Sequence, residues 1–588
     1  MKMVKNEKLT LQEIEERKKR LEKKKFRTNI KDIFSKAGFT YIKSENIQLS
    51  HDIPGLPISE IDAIFICKNI IVIVEDTCSE NSKSKKNHLL KALFQFEMYL
   101  NYKSTLINSL KEHINEFANY LEENLYEDNH YVIKTVYFSF DNVEEHIKKR
   151  AHEKNVKVIE KPLTNYFFSL VKNIMGSAKY ELLKFLDVSY SQFGGKIFSG
   201  ENEEGNVEYN GFLLPVENSS YPDGYKIVSF YIDPDSLLKK SFVLRKNSWI
   251  DPNLSYQRIL DVNKIKRMRK HLSSNKRVYL SNIIVTLPSE TKILDMKSSN
   301  QLDESSQHTV KPIKIKIPDR YNVIGIIDGQ HRVYSYHESN KEDNDEKTIS
   351  QLRHKQSLLV TGIIYPDHLS EDNRLRYEAQ LFLEINSKQT KVKSVLTQEI
   401  ELIVFPYSSI AIAKAILIEL SKSGALKDKL EEHTFDDSKK LKVSSIVSYG
   451  IKPLINKESP ESLFTAWSDT DKKELIKQKN SQEALYEFID FCVKEINFLL
   501  NAVKTIYGEM NWQIDNENRI LTPTSVNGFL VCLRLILRSG IDRNIEIYKE
   551  KLKNIEEFDF TKYKSSQWNQ LGRDIYNRYF TSSDTNLD

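Results

Sequence analysis

Two short stretches of this chain gather side chains that could do chemistry. Residues 323–332 read Val-Ile-Gly-Ile-Ile-Asp-Gly-Gln-His-Arg, an apolar strand running into Asp328-Gly329-Gln330-His331-Arg332 and then a helix-like Val333-Tyr334-Ser335-Tyr336. Gly329 permits a sharp turn and close approach of a ligand. Amide groups opening the next helix would favour an anion, and Arg332 could grip a phosphate or carboxylate with paired hydrogen bonds. Asp328 would repel a bare phosphate, so it suits a metal, a ribose or Arg332 itself. An Asp–Arg pair that merely pins the turn is the competing reading.

The second stretch is a hairpin pattern: Ile61–Ile66, a short turn at Cys67-Lys68-Asn69, then Ile70–Thr77. It would set Asp62 beside Glu75 at one end. Two carboxylates so placed could hold Mg²⁺, which would activate water and neutralise charge in a phosphodiester displacement. Alternatively, the two acids are edge-strand charges that discourage aggregation.

These corners need elements to position them. At 588 residues the chain is too long for one core. A hydrophobic content of 40% with 29% charged residues describes a folded protein. The net charge of +5 is small for this size, so local patches must carry any nucleic-acid argument. Cys67, Cys78, Cys492 and Cys532 are scattered without metal-ligand spacing, which fits a reducing cytosol and argues against zinc. No apolar signal core or membrane-length run is evident, so a cytoplasmic protein with no membrane contact is expected.

The expected architecture is α/β and multidomain. A charged amphipathic helix occupies 1–25, an α/β domain 26–190, a Gly/Asn/Ser-rich linker 191–224, a second α/β domain 225–398 and a helical region 399–588. Polar insertions at 288–311 and 339–356 read as surface loops. The basic run Lys264–Lys270, with Lys276 and Arg277 beyond, is either a solvated face or a set of phosphate contacts. Trp568 reads as a packing anchor.

Residues 26–175 resemble the PD-(D/E)xK restriction-endonuclease-like family. The likeness rests on the Asp62 and Glu75 hairpin, on the later strands 132–140 and 156–159, and on Gln95-Phe96-Glu97-Met98-Tyr99, which is similar to a Gln-x-x-x-Tyr element of that family. It implies catalytic Asp62, Glu75, Gln95 and Tyr99, with Mg²⁺ on Asp62 and Glu75. Thr77 stands at the usual Lys position, which leaves Lys83, Lys85, Lys86 or Lys91 to supply the ammonium.

Residues 225–400 resemble the DGQHR-domain, DndB-like family. Three ordered features carry the likeness: Ser255-Tyr256-Gln257-Arg258-Ile259-Leu260-Asp261 leading into the basic helix, the Asp328–Arg332 motif, and Leu381 to Thr390 containing Asn386 and Gln389. That family is distantly similar to the ParB/sulfiredoxin fold, although Gln330 replaces the cysteine that sulfiredoxin chemistry requires. The resemblance implies nucleotide or DNA contacts from Arg258, Lys266, Arg269, Asp328, Gly329, Gln330, His331, Arg332, Asn386 and Gln389, with a nucleoside triphosphate as possible cofactor.

Together the resemblances imply a DNA-binding protein of bacterial defence or phosphorothioation-type DNA modification, carrying a metal-dependent DNA phosphodiesterase. A non-cutting transcriptional regulator of a modification operon and a ParB-like NTPase are the alternatives. Expected partners are DNA, a nucleotide, other proteins of the same operon and further copies of the chain.

Overall fold

The computed structural model describes residues 11–44, 53, 55–56, 60–124, 126–194, 206–243, 260–302, 307–340, 342–386, 394–431, 440–514 and 518–581. The architecture is mixed α/β with two mixed sheets. The chain divides into two compact units, Met1–Leu244 with Ile259–Ser370, and Arg245–Arg258 with Glu371–Asp588.

In the first unit, residues 11–36 contain neither Gly nor Pro, and they form one unbroken helix, α1 (Leu11–Lys36). No domain boundary falls at residue 25. Phe26, Ile30, Ile33 and Phe34 recur at helical spacing and are buried. The first sheet runs β1 (Thr40–Ile42), β2 (Ala63–Cys67), β3 (Ile70–Thr77), β4 (Val132–Ser139), β5 (Lys157–Glu160) in that spatial order. β1 to β3 are antiparallel, and β3 to β5 parallel. Helices α2 (Ser82–Asn101), α3 (Lys103–His113), α4 (Asn115–Asn124), α5 (Glu145–Glu153), α6 (Lys161–Ile174) and α7 (Lys179–Phe185) complete the region. β3 is central and its Ile70–Val74 run is buried throughout, as expected for a strand covered on both faces. On one side Phe34 of α1 stacks on Phe65 at 4.5 Å. On the other, Leu89, Phe96 and Tyr99 of α2 share a core with Ile64 and Ile73.

The second sheet is built from β6 (Asn206–Leu214), β7 (Lys226–Ile232), β8 (Ser241–Val243), β9 (Ile283–Leu287), β10 (Lys292–Asp295), β11 (Lys311–Pro318), β12 (Ile324–Asp328) and β13 (Leu358–Ile364). Its order is β10-β11-β6-β7-β13-β9-β12-β8. Helices α8 (Val216–Ser219), α9 (Pro234–Lys240), α10 (Val262–Asn275), α11 (Gln330–Tyr334) and α12 (Glu346–Lys355) connect the strands.

Three expectations change here. The expected linker at 191–224 contains β6, an interior strand between β11 and β7. Its buried positions are Tyr209, Gly211 and Leu213, and a glycine among them hides the alternation. The insertion at 288–311 contributes β10, and that at 339–356 contributes α12, whose short apolar stripe is Ile349 and Leu352. The two sheets belong to one unit and are joined by hydrogen bonds. The Gly176 amide donates to the Glu338 carbonyl at 2.9 Å, and the Tyr180 hydroxyl donates to the Glu338 carboxylate at 2.5 Å.

The second unit is helical, and its C-terminal segment begins at Glu371 rather than at 399. Its helices include α13 (Glu371–Asn386), α14 (Ser394–Val404), α15 (Ser409–Lys422), and the helices Gln482–Tyr507, Pro523–Ser539 and Trp568–Tyr579. Leu375, Ala379, Leu381 and Phe382 of α13 are buried, which ties it to this unit. Trp568 stacks on Tyr449 at 4.9 Å. Among the described residues no single helix is long and apolar enough to cross a membrane; α14 and α15 pass such a test only as a pair bent by 102°.

The helices Pro523–Ser539 and Trp568–Tyr579 meet through Gly528 and Gly572. A Cβ on Gly572 would lie 2.6 Å from the Gly528 carbonyl oxygen and 2.6 Å from the Val531 Cβ. Gly572→Ala is therefore expected to push the two helices apart and lower stability by roughly 1–3 kcal/mol, read from the urea midpoint.

Candidate functional site

The hairpin end is the first candidate. In the antiparallel register Ala63 pairs with Val74, so Asp62 stands opposite Glu75. Glu75 lies in the interior strand β3 and Asp62 immediately precedes the interior strand β2, which removes edge protection as their role. Asp62 Oδ2 accepts the Asp76 amide at 2.7 Å. Glu75 is 5% exposed, and its Oε1 has no hydrogen-bond partner. Burial, the adjacent Asp62 charge and a hydrogen bond with Asp62 push the Glu75 carboxyl up to about 9. At neutral pH Glu75 is thus a protonated acid beside Asp62.

Alternation along β3 sends Asp76 to the opposite face, where Arg27 of α1 donates to it through Nε at 2.8 Å. Burial raises the Asp76 carboxyl, and Arg27 opposes that shift. On the Glu75 side, His88 of α2 shares a hydrogen bond with the Tyr137 hydroxyl at 2.9 Å, and burial lowers its imidazole below the ordinary range. Arg27, Asp76, His88 and Tyr137 were not singled out from sequence. The neighbouring acids Glu75-Asp76 were visible, but Arg27 lies 49 residues from Asp76, and Tyr137 lies 49 residues from His88.

Gln95 and Tyr99 do not join this group. Both are buried on α2, and at 1.5 Å per residue they lie about 10 and 16 Å beyond His88 along the helix. They face the core because their spacing follows the apolar stripe. No lysine is among the charges acting most strongly on Glu75. Lys85 is spent on the Asp141 carboxylate at 2.8 Å and the Asn142 carbonyl at 3.0 Å, while Lys83, Lys86 and Lys91 are exposed. The charges acting most strongly on Glu75 are both acidic, Asp62 and Asp76. Among the described residues no cluster of three or more His, Cys, Asp or Glu is arranged to hold a metal. The Asp62–Glu75 pair, with its unpartnered Oε1, fits a divalent cation only once Glu75 loses its proton.

The Asp328–Arg332 corner is the second candidate. A bulge in β12 breaks the register after Ile326, so Asp328 pairs with Ile284 and emerges half-buried instead of following Ile326 into the core. Gly329 then adopts φ +95°, and a Cβ there would meet Ile283 Cγ1 at 3.0 Å and the Arg332 guanidinium at 3.2 Å. Conformation and space both demand glycine. Arg332 donates to Asp328 Oδ2 at 2.7 Å and to the Asn282 carbonyl at 2.7 Å.

The expected anion cradle is therefore corrected. The Arg332 and Val333 amides both donate to the Gly329 carbonyl, the helix that follows has five residues, and the guanidinium is paired. The strand-to-helix corner closes on itself. His331 is buried, and its Nε2 accepts the Asp261 amide at 3.1 Å; Asp261 in turn caps α10 through the Asn263 and Lys264 amides. The motif thus anchors the start of α10. Gln330 is buried, and its Nε2 has no hydrogen-bond partner.

Arg269 is not a nucleic-acid contact. It is 4% exposed and donates to Asp343 at 2.8 Å, to the carbonyls of Ser335 and His337 at 3.3 and 2.7 Å, and to Glu346. Arg353, missed because its helix was read as a loop, meets the carbonyls of Tyr336 and His337 and the same Glu346. Burial beside Arg269 drives the His337 imidazole down to about 3. Lys266, by contrast, is exposed on the outer face of α10 together with Lys264, Arg267 and Lys270, and Lys276 and Arg277 follow. The chain has no Asp or Glu from 262 to 289. None of these six cations makes an ion pair among the described residues. Arg258 and Gln389 lie outside the described residues, and Asn386 closes α13 in the second unit.

No family model, no curated protein and no solved structure matches this chain.

Two outcomes are expected. Arg269→Ala takes the guanidinium from Asp343, leaves Glu346 with Arg353 alone and deprives the Ser335 and His337 carbonyls of a donor. It should cost about 3–5 kcal/mol in urea unfolding, whereas Lys266→Ala should change stability by less than about 0.5 kcal/mol. Glu75 binds its proton more tightly folded than unfolded, where its ordinary value is 4.5. Its stabilising contribution is complete below about pH 4.5, declines above that, and is gone beyond about pH 9. Glu75→Gln should gain on the wild type across this window, by up to about 1.4 kcal/mol per pH unit in urea unfolding.

Proposed function

We propose that this chain is a DNA-binding protein of a bacterial defence or DNA-modification system, and that its nuclease-like part binds without cutting. The observation that carries this reading is the outer face of α10. It presents Lys264, Lys266, Arg267 and Lys270, with Lys276 and Arg277 beyond, all exposed and, among the described residues, without an ion pair. A set of cations displaces counterions from a phosphate backbone and gives salt-dependent affinity without reading sequence. The DGQHR-like motif supports it by holding the helix: His331 fixes its first turn, and Arg269 ties its middle to the turn after Arg332.

Two features favour binding over cleavage. The position where the resembled family carries lysine is Thr77, and Glu75 is protonated at neutral pH. The specific observation favouring metal-dependent cleavage is the Asp62–Glu75 pair itself. These two would hold Mg²⁺, which would supply an activated water and neutralise developing charge. A nucleotide at the corner would have to draw Arg332 away from Asp328, which makes the NTPase reading the weakest.

The test combines duplex binding and plasmid integrity. Substituting Lys266, Arg267 and Lys270 together by Gln should weaken duplex binding and lower the log–log salt slope by about 0.9 for each phosphate that is no longer neutralised. An unchanged slope would remove α10 from the interface. Supercoiled plasmid should survive incubation with the wild type and Mg²⁺ or Mn²⁺. Nicking that disappears in Glu75→Ala would instead assign a phosphodiesterase.

A further inference from the structure

Part of one face of the second sheet is open, and the register lines up that part residue by residue; two positions further along, Ile227, Ile363 and Thr286 of the same face are buried. Pro312 of β11 pairs with Phe212 of β6, Phe212 with Ser229 of β7, Ser229 with Thr361 of β13, Thr361 with Ile284 of β9, and Ile284 with Asp328 of β12. Every member of this row is exposed or half-exposed, while the alternate positions Gly211, Phe230, Val360, Ile283 and Ile326 are buried. At about 4.8 Å between strands the row spans roughly 24 Å.

Its surface is unusual for a solvated sheet face. Phe212 is 53% exposed, and Tyr231, its diagonal neighbour across the β6–β7 pair, is 61% exposed. Two adjacent aromatic rings lie against solvent on a rigid sheet. Lys314, Lys316 and Lys292 stand beyond them on β11 and β10. Among the described residues Lys314 bonds only the Ser299 hydroxyl, at 2.9 Å, and Lys316 faces Glu208 in register without an ion pair. Toward the other side, the Asn282 amide nitrogen donates to Thr361 at 2.9 Å, and its buried Oδ1 has no partner. The guanidinium of Arg332, held by the Asn282 carbonyl, closes the row.

Aromatic faces flanked by cations suit a polymer of flat bases on an anionic backbone. A duplex buries its base faces by stacking, so only a single strand could use Phe212 and Tyr231. We infer that this open face binds single-stranded DNA, with bases stacked on Phe212 and Tyr231 and phosphates drawn to Lys314, Lys316 and Lys292. The choice of DNA over RNA rests on the DNA-binding reading above. The two surfaces would then divide the work, α10 holding duplex backbone and the sheet holding an unpaired strand.

Fluorescence anisotropy on the full chain tests this with labelled oligo-dT, oligo-rU and a short duplex. Phe212→Ala and Tyr231→Ala should each weaken oligo-dT binding roughly tenfold or more and leave duplex binding within about twofold. Phe212→Tyr should retain oligo-dT affinity. The exposure of both rings predicts unchanged urea midpoints, so loss of binding would not reflect unfolding. The triple Gln variant of Lys266, Arg267 and Lys270 should lose duplex affinity while keeping oligo-dT. If that variant keeps its duplex affinity while the alanine variants lose oligo-dT, the α10 reading fails and this one stands. Absent oligo-dT binding by the wild type, equal affinity in the Phe212→Ala/Tyr231→Ala double variant, or a preference for oligo-rU would overturn the inference.

Discussion

The first unit depends on one buried charge arrangement, in which the guanidinium groups of Arg269 and Arg353 converge on the backbone carbonyls of residues 335–337. Those carbonyls end the turn that begins at Gln330. Glu346 takes a hydrogen bond from each arginine, and Asp343 takes one from Arg269. Two cations buried side by side would be costly unless their donors were satisfied, and here carboxylates and carbonyl oxygens satisfy them. The arrangement ties α10, α12 and the β12-to-α11 corner into one body. Through it, a motif that looks like a ligand site works as a structural joint.

That joint explains why the exposed cations of α10 are arranged as they are. The helix turns Ile265, Arg269 and Leu272 inward at spacings of four and three residues. The remaining basic residues are left outside. Asp261 and His331 fix the helix start, so the outward face has a defined direction. A flexible basic tail would lose ordering entropy on meeting a phosphate backbone; this helix is ordered beforehand.

The first sheet carries a different constraint. Glu75 sits where the fold of β2 onto β3 brings a second carboxyl to a buried acid, and the charges acting on it most strongly are acidic. Arg27 neutralises Asp76 on the opposite face instead. A pair in this state keeps a proton at neutral pH, and a cation would have to displace it. Two carboxyl groups stand side by side there, and the charges acting most strongly on Glu75 are acidic, so nothing among them favours its ionised form.

Much of the fold was legible from pattern. The hairpin at 61–77, the strands β4, β5, β7, β9, β11, β12 and β13, and the long helices of the second unit follow apolar periodicity that needs no partner to be seen. Asp62 opposite Glu75 followed from the length of the turn. β6, β10 and α12 were not legible, because their apolar positions are few or interrupted by glycine and become meaningful only against neighbouring strands. The fate of charged groups was decided by tertiary structure alone. Arg269 and Lys266 lie three residues apart in one basic run, yet one is sealed and the other is open. Arg332 could have faced a phosphate or Asp328, and a single bulge in β12 put the carboxylate within its reach. Sequence determines which groups a segment carries and which face of a helix or strand they share. Whether a charge meets solvent, a ligand or its own counter-ion depends on distant segments that supply burial and partners, and only the folded chain brings those together.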